Sequence, residues 1–385
     1  MKDEEIIELE FIDIDELDSE TDDELIKDVF EEDFAEEPHR KYRRGDDAED
    51  DNSKKNNIVV KVVKRTLISV ATALLVAVVG IMGVILILDY GPSKTARNLF
   101  VNSAMESSAG KFLAQMFISK EKIEEIRNIN SVAKTDDVTD TSLLTFTGED
   151  AQVVNDERPD IEIIDIQGDT YRGKLMKIKD PSRVTVGISG NFGSEYKGKT
   201  VKEMADSAGA IAAVNGGGFE DIGGVGNGGT PIGVVISNGE LKYGSMGATY
   251  EMIGFDNNNA LVVGRMTPSK ALERGVRDAI SFGPILIVNG EASEVSGTGS
   301  GLNPRTAIGQ CADGTVLLMT MDGRQVNSFG GSYQDIIDVM LANGAVNAAN
   351  LDGGSSTLMY YNGEYINNCS SLYGARTMPT CFIVK

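Results

Sequence analysis

The chain has 385 residues, 59 Asp and Glu against 36 Lys and Arg, a net charge of −23, three cysteines and one histidine, His39. His39 lies in the charged N-terminal part, so a folded domain after it works without imidazole. This excludes Ser-His-Asp and Cys-His catalysis, HExxH zinc sites and a histidine general base. Three scattered cysteines cannot form a four-cysteine zinc site, and the acidic balance excludes nucleic acid as an expected partner.

Residues 1–66 form an acidic, low-complexity segment with 24 Asp and Glu against 11 Lys and Arg. A segment of this composition cannot bury enough apolar surface to offset its ordering entropy, which predicts a largely disordered tail. Two interpretations stay open: a solvated tail, or a segment that folds on a cytoplasmic partner.

Residues 67–88 carry no charge. At 1.5 Å per residue they would make a helix of about 33 Å, enough to cross a bilayer. Basic residues precede this stretch (Lys54, Lys55, Lys61, Lys64 and Arg65) and Asp89 follows it. The positive-inside rule therefore predicts a single-pass protein of the cell membrane, with its N-terminus in the cytoplasm and residues 90–385 outside.

Two shorter segments follow the apolar stretch. Residues 89–130 have apolar positions at helical spacing, including Leu99, Phe100 and Phe117, which predicts a helical stalk. Residues 131–158 are rich in Thr and Asp and are typical of a linker.

Residues 159–385 contain 37 of the 43 glycines and many short β-type runs. Asn-Gly at 238–239, 289–290 and 362–363 and Asp-Gly at 313–314 predict tight hairpins. Clear helical patterns occur near Val201–Ala208 and Tyr333–Ala342. We therefore predict an α+β domain built on a mainly antiparallel sheet with few helices. Cys369 and Cys381 are placed so that a disulfide or two free thiols both remain open.

Two motifs in this domain, at 215–220 and 303–306, have polar residues that could bind a ligand. Asn215-Gly216-Gly217-Gly218-Phe219-Glu220 follows an apolar run, and its glycines allow either a close backbone approach to a ligand or a sharp turn. Asn303-Pro304-Arg305-Thr306 brings an arginine into a half-buried strand. That arginine is either an anion clamp or one member of a salt bridge at the rim.

Three further motifs follow. Asp352-Gly353-Gly354-Ser355 places a carboxylate beside glycines and hydroxyls at the end of a strand, as in an exposed catalytic turn or an Asx turn. Arg376 precedes the last strand, and Asp322-Gly323-Arg324 is a weaker candidate. Together the motifs suit a polar, anionic, sugar-like ligand.

In this order the five motifs resemble the phosphodiester glycosidase family over about 159–385. This is the family of the uncovering-enzyme domain and of bacterial exopolysaccharide-biosynthesis-type relatives. The resemblance implies a hydrolase, which the apolar stretch at 67–88 would anchor in the membrane with its domain outside. It would cleave the anomeric bond of a sugar-1-phosphodiester, such as one of N-acetylglucosamine, in cell-surface or exopolysaccharide metabolism.

The resemblance also implies roles for residues. Asp352 is the expected catalytic carboxylate, with Asp322 and Glu220 in reserve; Glu220 stands where many relatives have an aromatic residue. Arg305 and Arg376 are expected to hold the phosphate. The other expected substrate-binding residues are Asn215, Gly216, Gly217, Thr306, Gly353, Gly354 and Ser355.

The implied reaction requires no cofactor, because the leaving phosphate monoester is a weak base whose charge arginines can hold. The loop Asp256–Asn259 leaves calcium open. The alternative function is a non-catalytic polysaccharide-binding or organising protein of the cell envelope. Only the glycosidase would release a free sugar.

Overall fold

The computed structural model describes residues 48–107, 110–146, 158–221, 226–371 and 373–385, with side chains from residue 60 onward. The predicted disorder of residues 1–47 lies outside the described residues. The chain divides into two units, Met1–Val76 and Ala77–Lys385.

Helix α1 spans Ala48–Tyr90. Its segment Val60–Tyr90 is long and apolar enough to cross a membrane, judged by length and composition. Apolar side chains along it are exposed, with Leu74 and Val76 accessible at 62% and 66%. The predicted span at 67–88 falls inside this helix. Residues 48–66, which composition assigned to the tail, are part of the same helix.

Three short helices follow: α2 (Lys94–Met105), α3 (Lys111–Phe117) and α4 (Lys120–Ile129). Ser93 and Ser119 cap the first turns of α2 and α4 through their side-chain oxygens. The three helices share a small core that includes Val101 and Ile126, both fully buried. They lie in the range for which the sequence predicted a helical stalk.

These helices and the segment after them are fastened to the C-terminal domain. Ser103 Oγ accepts a hydrogen bond from the Leu302 backbone N–H at 2.9 Å. Val132 forms a β-bridge with Val295, and Val138 forms one with Gly264. The predicted stalk and the first part of the predicted linker, 131–146, are therefore packed against the domain.

Over the residues that the structure describes after 158, the domain is made mostly of strands, with three α-helices between them. The helices are α5 (Val201–Ala208), α6 (Pro268–Glu273) and α7 (Tyr333–Ala342). The strands in the described residues are β1 (Ile161–Gln167), β2 (Arg172–Ile178), β3 (Val184–Ile188), β4 (Ala212–Asn215), β5 (Val235–Ser237), β6 (Glu240–Tyr243), β7 (Tyr250–Asp256), β8 (Leu261–Met266), β9 (Val276–Ser281), β10 (Ile285–Val288), β11 (Glu291–Ala292), β12 (Arg305–Cys311), β13 (Val316–Met321), β14 (Ala345–Leu351), β15 (Met359–Tyr361), β16 (Glu364–Tyr365) and β17 (Thr380–Val384).

The strands form three sheets. The first has the order β1-β2-β13-β12-β14-β10-β11, the second β16-β15-β4-β17-β3 and the third β6-β5-β9-β7-β8. The pairings are antiparallel, so the predicted α+β class with a mainly antiparallel sheet is confirmed.

One central core joins the three sheets. It includes Ile308 from the first sheet, Phe382 from the second and Phe255 from the third, all fully buried. Helix α7 covers the other face of the first sheet through residues such as Met340, and α5 covers the second through Met204. Because side chains alternate along a strand, the first and second sheets can each pack one face into the central core and the other face against a helix.

The predicted turns and helices occur where the sequence placed them. Asn238, Asn289 and Asn362 have φ of 53°, 56° and 49° between paired strands, as Asn-Gly hairpin turns require. Helix α7 ends at Ala342, and Gly344 after it has φ +83°.

The cysteines are all free. Cys381 of β17 is fully buried in the hydrophobic cluster between α5 and the second sheet. Cys369 is partly buried and packs against the same cluster. The disulfide between Cys369 and Cys381 that the sequence left open is therefore absent.

Candidate active site

The candidate residues meet where strands from the three sheets end. Asp352 directly follows β14 of the first sheet, Asn215 ends β4 of the second, and Ser281 ends β9 of the third. The Asp352 backbone N–H donates to Gly216 O at 3.0 Å and so joins two of these ends. Polar turns at the ends of buried strands are where a rigid scaffold can present reactive groups.

The glycine run after β4 serves close packing. A Cβ at Gly216 would lie 2.7 Å from Thr380 Oγ1, and one at Gly217 would lie 2.7 Å from Ser281 O. Their backbone N–H groups donate to Thr380 O and Thr380 Oγ1, each at 3.1 Å. Both amides are thus used inside the protein, whereas the next residue, Gly218, lines the pocket described below.

Asn215 is fully buried and holds the turn that carries Asp352. Its Oδ1 accepts from Thr306 Oγ1 at 2.7 Å and from the Leu358 N–H at 3.1 Å, while its Nδ2 donates to Asp352 O at 2.5 Å. Since these bonds occupy both ends of its amide, we describe Asn215 and Thr306 as positioning residues.

A cavity of about 280 Å³, here called the Asp352 pocket, opens beside this turn. Its charged lining residues are three acids and three bases: Glu106, Asp221, Asp352, Lys111, Arg324 and Arg376. The structure thus brings Asp352, Gly353, Gly354, Ser355 and Arg376 together, as the sequence predicted for a common site.

Asp352 is half-buried in this pocket. Burial raises the pKa of Asp352 to about 6, against the opposing effects of a hydrogen bond from Ser356 and the positive charge of Arg376. Its Oδ1 also accepts from the Gly353 N–H at 3.0 Å. A carboxylate that changes charge near pH 6 in a cleft is suited to proton transfer or nucleophilic attack.

Arg376 is held in place by Asp221. Its Nη2 lies 2.7 Å from Asp221 Oδ1, and its Nη1 donates to Asp221 Oδ2 at 2.8 Å, which makes a two-point ion pair. Nη1 also donates to Ser355 Oγ at 3.2 Å, and the guanidinium lies 4.9 Å from the centre of the Phe219 ring. The arginine therefore has one fixed orientation beside Asp352.

The glycines after Asp352 bring a second arginine close. Gly354 has φ +61°, and a Cβ there would lie 3.3 Å from both terminal nitrogens of Arg324. Gly353 packs against Pro304, whose carbonyl oxygen would lie 2.7 Å from a Cβ. Arg324 Nη2 also donates to Asn303 Oδ1 at 3.2 Å.

Arg305 is buried and does not line the Asp352 pocket. Its Nε donates to Gly331 O at 3.1 Å, and its Nη2 donates to Gly301 O at 3.1 Å and to Ser300 Oγ. Its guanidinium lies 4.3 Å from the centre of the Tyr333 ring. Arg305 thus holds the 300–301 loop, and Arg324 takes the place on the pocket wall.

Asp322 and Glu220 lie outside the lining of the Asp352 pocket. The Asp322 Oδ1 accepts from Asn367 Nδ2 at 3.2 Å and from the Asn368 N–H at 3.1 Å, and burial raises the pKa of Asp322. Glu220 is exposed.

No cluster of three or more His, Cys, Asp or Glu side chains that could hold a metal occurs in the part of the chain that the structure describes. In the loop for which calcium was left open, Asp256 Oδ1 accepts from the Asn258 and Ala260 N–H groups at 2.9 and 2.8 Å. This is the hydrogen bonding of a turn that joins β7 to β8.

Sequence reasoning did not select four of the pocket's charged residues. Asp221 directly follows Glu220 at the end of the first motif, and Arg324 stands in the motif Asp322-Gly323-Arg324. The carboxylates Glu220 and Asp322 were chosen there instead. Glu106 and Lys111 lie in the N-terminal helical region, where no motif pointed to a site. Asp221 could have been found only if the sequence showed which carboxylate pairs with Arg376, and the spacing of residues does not show this.

Residues 208–385 match the family model described as phosphodiester glycosidase. The chain is 32% identical over 211 residues to the SPbeta prophage-derived uncharacterized protein YomE of Bacillus subtilis (strain 168), covering 52% of this chain and 31% of that protein. It is 29% identical over 218 residues to the N-acetylglucosamine-1-phosphodiester alpha-N-acetylglucosaminidase of Mus musculus, covering 51% and 41%.

The structure also resembles the catalytic domain of the zebrafish N-acetylglucosamine-1-phosphodiester alpha-N-acetylglucosaminidase. The TM-score is 0.50 at 25% identity, over 59% of this chain and 84% of that one. This chain therefore carries a phosphodiester glycosidase domain at 208–385. It spans about a third to two fifths of the length of the curated relatives that it matches. Strands β1–β3 precede residue 208 and belong to the same sheets.

Proposed function

We propose that this protein hydrolyses the anomeric bond of a sugar-1-phosphodiester, with N-acetylglucosamine as the model sugar. The observation that carries the proposal is a carboxylate with a pKa of about 6, Asp352, in one pocket with the fixed guanidinium of Arg376. The names of the relatives supply the substrate class.

In this reaction the bond between the anomeric carbon and the phosphate oxygen breaks, and its electron pair stays on the phosphate. The oxygen of water ends on the anomeric carbon. Asp352 either attacks that carbon first or takes a proton from the attacking water, which are the two roles of such a carboxylate in glycosidases. Both roles require Asp352 to be ionised.

Arg376 and Arg324 are placed to hold the phosphate, because both line the pocket and their guanidinium groups carry fixed positive charge. A phosphate monoester is a weak base and leaves without strong acid assistance. The main requirement is therefore to stabilise the negative charge that develops on the phosphate in the transition state. The reaction thus proposed needs no metal.

We further propose a location. The apolar segment of α1 would cross the cell membrane, and the basic residues before it would keep the N-terminus in the cytoplasm. The hydrolase domain would then act outside on glycosyl phosphodiesters of cell-surface polymers or exopolysaccharide, and the acidic tail would be free to meet a cytoplasmic partner.

The test uses the full chain in detergent, because α2, the end of α4 and the segment 131–146 contact the domain. Asp352→Asn keeps the shape of the side chain and removes its charge. We expect kcat/KM for methyl α-N-acetylglucosaminyl phosphate to fall about 100-fold or more, read as released reducing sugar with and without EDTA. Glu364→Gln, on the exposed strand β16, is the matched control.

Wild-type turnover by the Asp352→Asn variant would remove this residue from the mechanism. Tight binding of the phosphodiester without release of sugar by the wild-type protein would instead favour the alternative, a polysaccharide-binding protein of the envelope.

A further inference from the structure

A second cavity lies beside the Asp352 pocket, against helix α4 and the segment after it. This cavity, here called the helix-side cavity, has a volume of about 360 Å³. Its charged and amide lining side chains include Glu106, Glu124, Arg127, Asn128, Lys134 and Glu251. Such a volume and polarity match a pocket for a small polar ligand.

A third, small cavity of about 60 Å³, here called the passage, has lining residues in common with both. The passage shares Glu106 and Tyr333 with the helix-side cavity. It shares Asp352, Gly353 and Gly354 with the Asp352 pocket. The shared lining places the passage between the Asp352 pocket and the cavity against α4, in the direction in which a ligand longer than the pocket would extend.

The passage leaves the pocket on the side of Asp352. Asp352 lines it, but Asp221, Ser355 and Arg376 line only the pocket. In the proposed reaction the anomeric carbon lies at Asp352 and the phosphate at Arg376. The helix-side cavity is then located beyond the sugar, on the side away from the phosphate.

We propose that the helix-side cavity binds a second sugar, attached to a hydroxyl of the sugar whose anomeric bond is cleaved. The preferred substrate is then an oligosaccharide that ends in a 1-phosphodiester. This inference rests on the proposed function and specifies its substrate. Carboxylate, amide and cationic side chains supply the acceptors and donors that sugar hydroxyls need.

The wall formed by the helices is fixed rather than loose. The Thr298 N–H donates to Asn130 Oδ1 at 2.8 Å, and Asn102 Nδ2 donates to Thr298 Oγ1 at 3.1 Å. Arg305 holds the same loop from inside the domain, through Gly301 O and Ser300. A site whose walls are held before the ligand arrives loses less entropy on binding.

Most of the wall is outside the family domain. Glu106, Glu124, Arg127, Asn128 and Lys134 precede residue 208, where the family match begins. The preference for a second sugar is thus a property that this chain adds to the hydrolase domain.

The experiment compares methyl α-phosphodiesters of N-acetylglucosamine and of three disaccharides that extend it at O3, O4 or O6. The full chain in detergent should hydrolyse at least one disaccharide with a kcat/KM about tenfold above that of the monosaccharide, mainly through a lower KM.

Two double variants separate binding from folding. Glu124→Ala with Asn128→Ala removes two exposed groups that line the cavity from one face of α4. Glu121→Ala with Glu125→Ala removes two exposed charges at the same spacing that line neither cavity nor the passage. We expect only the first double variant to lose the preference, with monosaccharide turnover unchanged.

Equal kcat/KM for all four substrates, or a preference that both double variants retain, would overturn the inference. A rise in monosaccharide turnover in the first double variant would also overturn it, because the helices would then obstruct the site. If the wild-type protein hydrolyses none of the four, calorimetry on the same proteins decides. Tighter binding of a disaccharide, lost only in the first double variant, supports the subsite although the proposed function fails; equal binding overturns it.

Discussion

Asp352 owes its pKa to burial first and to four neighbours in addition, two of which are charged. Arg376 lowers the pKa of this carboxyl, and the negative charge of Asp221 raises it. Since Arg376 and Asp221 are paired at 2.7 Å, the two effects come from one ion pair beside the carboxylate. The charge state of Asp352 thus depends on Asp221 as well as Arg376, although the sequence pointed only to Arg376.

The first residue-scale prediction concerns pH. A raised pKa means that the folded protein keeps the proton on Asp352 to a higher pH than an ordinary carboxyl would. Because the proposed roles need the ionised form, kcat/KM should rise with pH through about 6 and level off above it. A pH–rate profile of the wild-type enzyme measures this. A rate that falls as pH passes 6 would make Asp352 the acid instead.

The second prediction uses the ion pair. Arg376→Gln removes a charge that lowers the pKa of Asp352, so the rise in rate should move to higher pH, and kcat/KM should fall about 100-fold. Asp221→Asn removes a charge that raises that pKa and should move the rise to lower pH. Opposite shifts are the signature; shifts in one direction for both variants would point to a structural disturbance.

At the scale of elements, the site depends on strand ends that touch. The turn after β4 fits against β17 and β9 only because Gly216 and Gly217 have no Cβ. Hydrogen bonds from Asn215 Nδ2 to Asp352 O and from the Asp352 N–H to Gly216 O then attach the turn after β14 to the turn after β4.

A glycine substitution tests this packing. In Gly216→Ala the new Cβ would lie 2.7 Å from Thr380 Oγ1 and 2.9 Å from its backbone, so the strands must separate. We expect a loss of about 1–3 kcal/mol in the free energy of unfolding, together with reduced activity. Gly247→Ala, where a Cβ meets nothing within 4 Å, is the control. Equal stability of the two variants would contradict this account.

Structural elements could be predicted from the sequence where a single residue type determines the local backbone conformation. Asn238, Asn289 and Asn362 adopt positive φ next to glycine, and these turns were read directly from the sequence. The partners of Arg376 and Arg305 were not predictable, because a guanidinium finds its acceptor through tertiary contacts between distant segments. For the same reason the docking of α2 and α4 on the domain was missed.

For the whole molecule, the proposed location rests on the long helix α1. Its apolar side chains are exposed, as expected when lipid rather than protein surrounds them. This exposure, together with its length, supports the proposed membrane anchor.

A charge substitution tests the anchor. Leu74→Arg with Val78→Arg places two charges near the middle of the apolar segment, at about 3 kcal/mol each. We expect the full chain to leave the membrane fraction on alkaline carbonate extraction, whereas wild type stays. Val60→Arg with Val62→Arg, at the end of the segment, should stay with the membrane. Extraction of the wild-type chain would refute membrane insertion.

The position of β17 in its sheet has a consequence for when the candidate site can form. β17, Thr380–Val384, lies between β4 and β3 in the second sheet rather than at its edge. Until it is in place, β4 lacks a neighbour, and Thr380 cannot accept from the amides of Gly216 and Gly217. A nascent or shortened chain that lacks residues 380–384 therefore cannot form the Asp352 site, even when the motif that carries Asp352 has been synthesised.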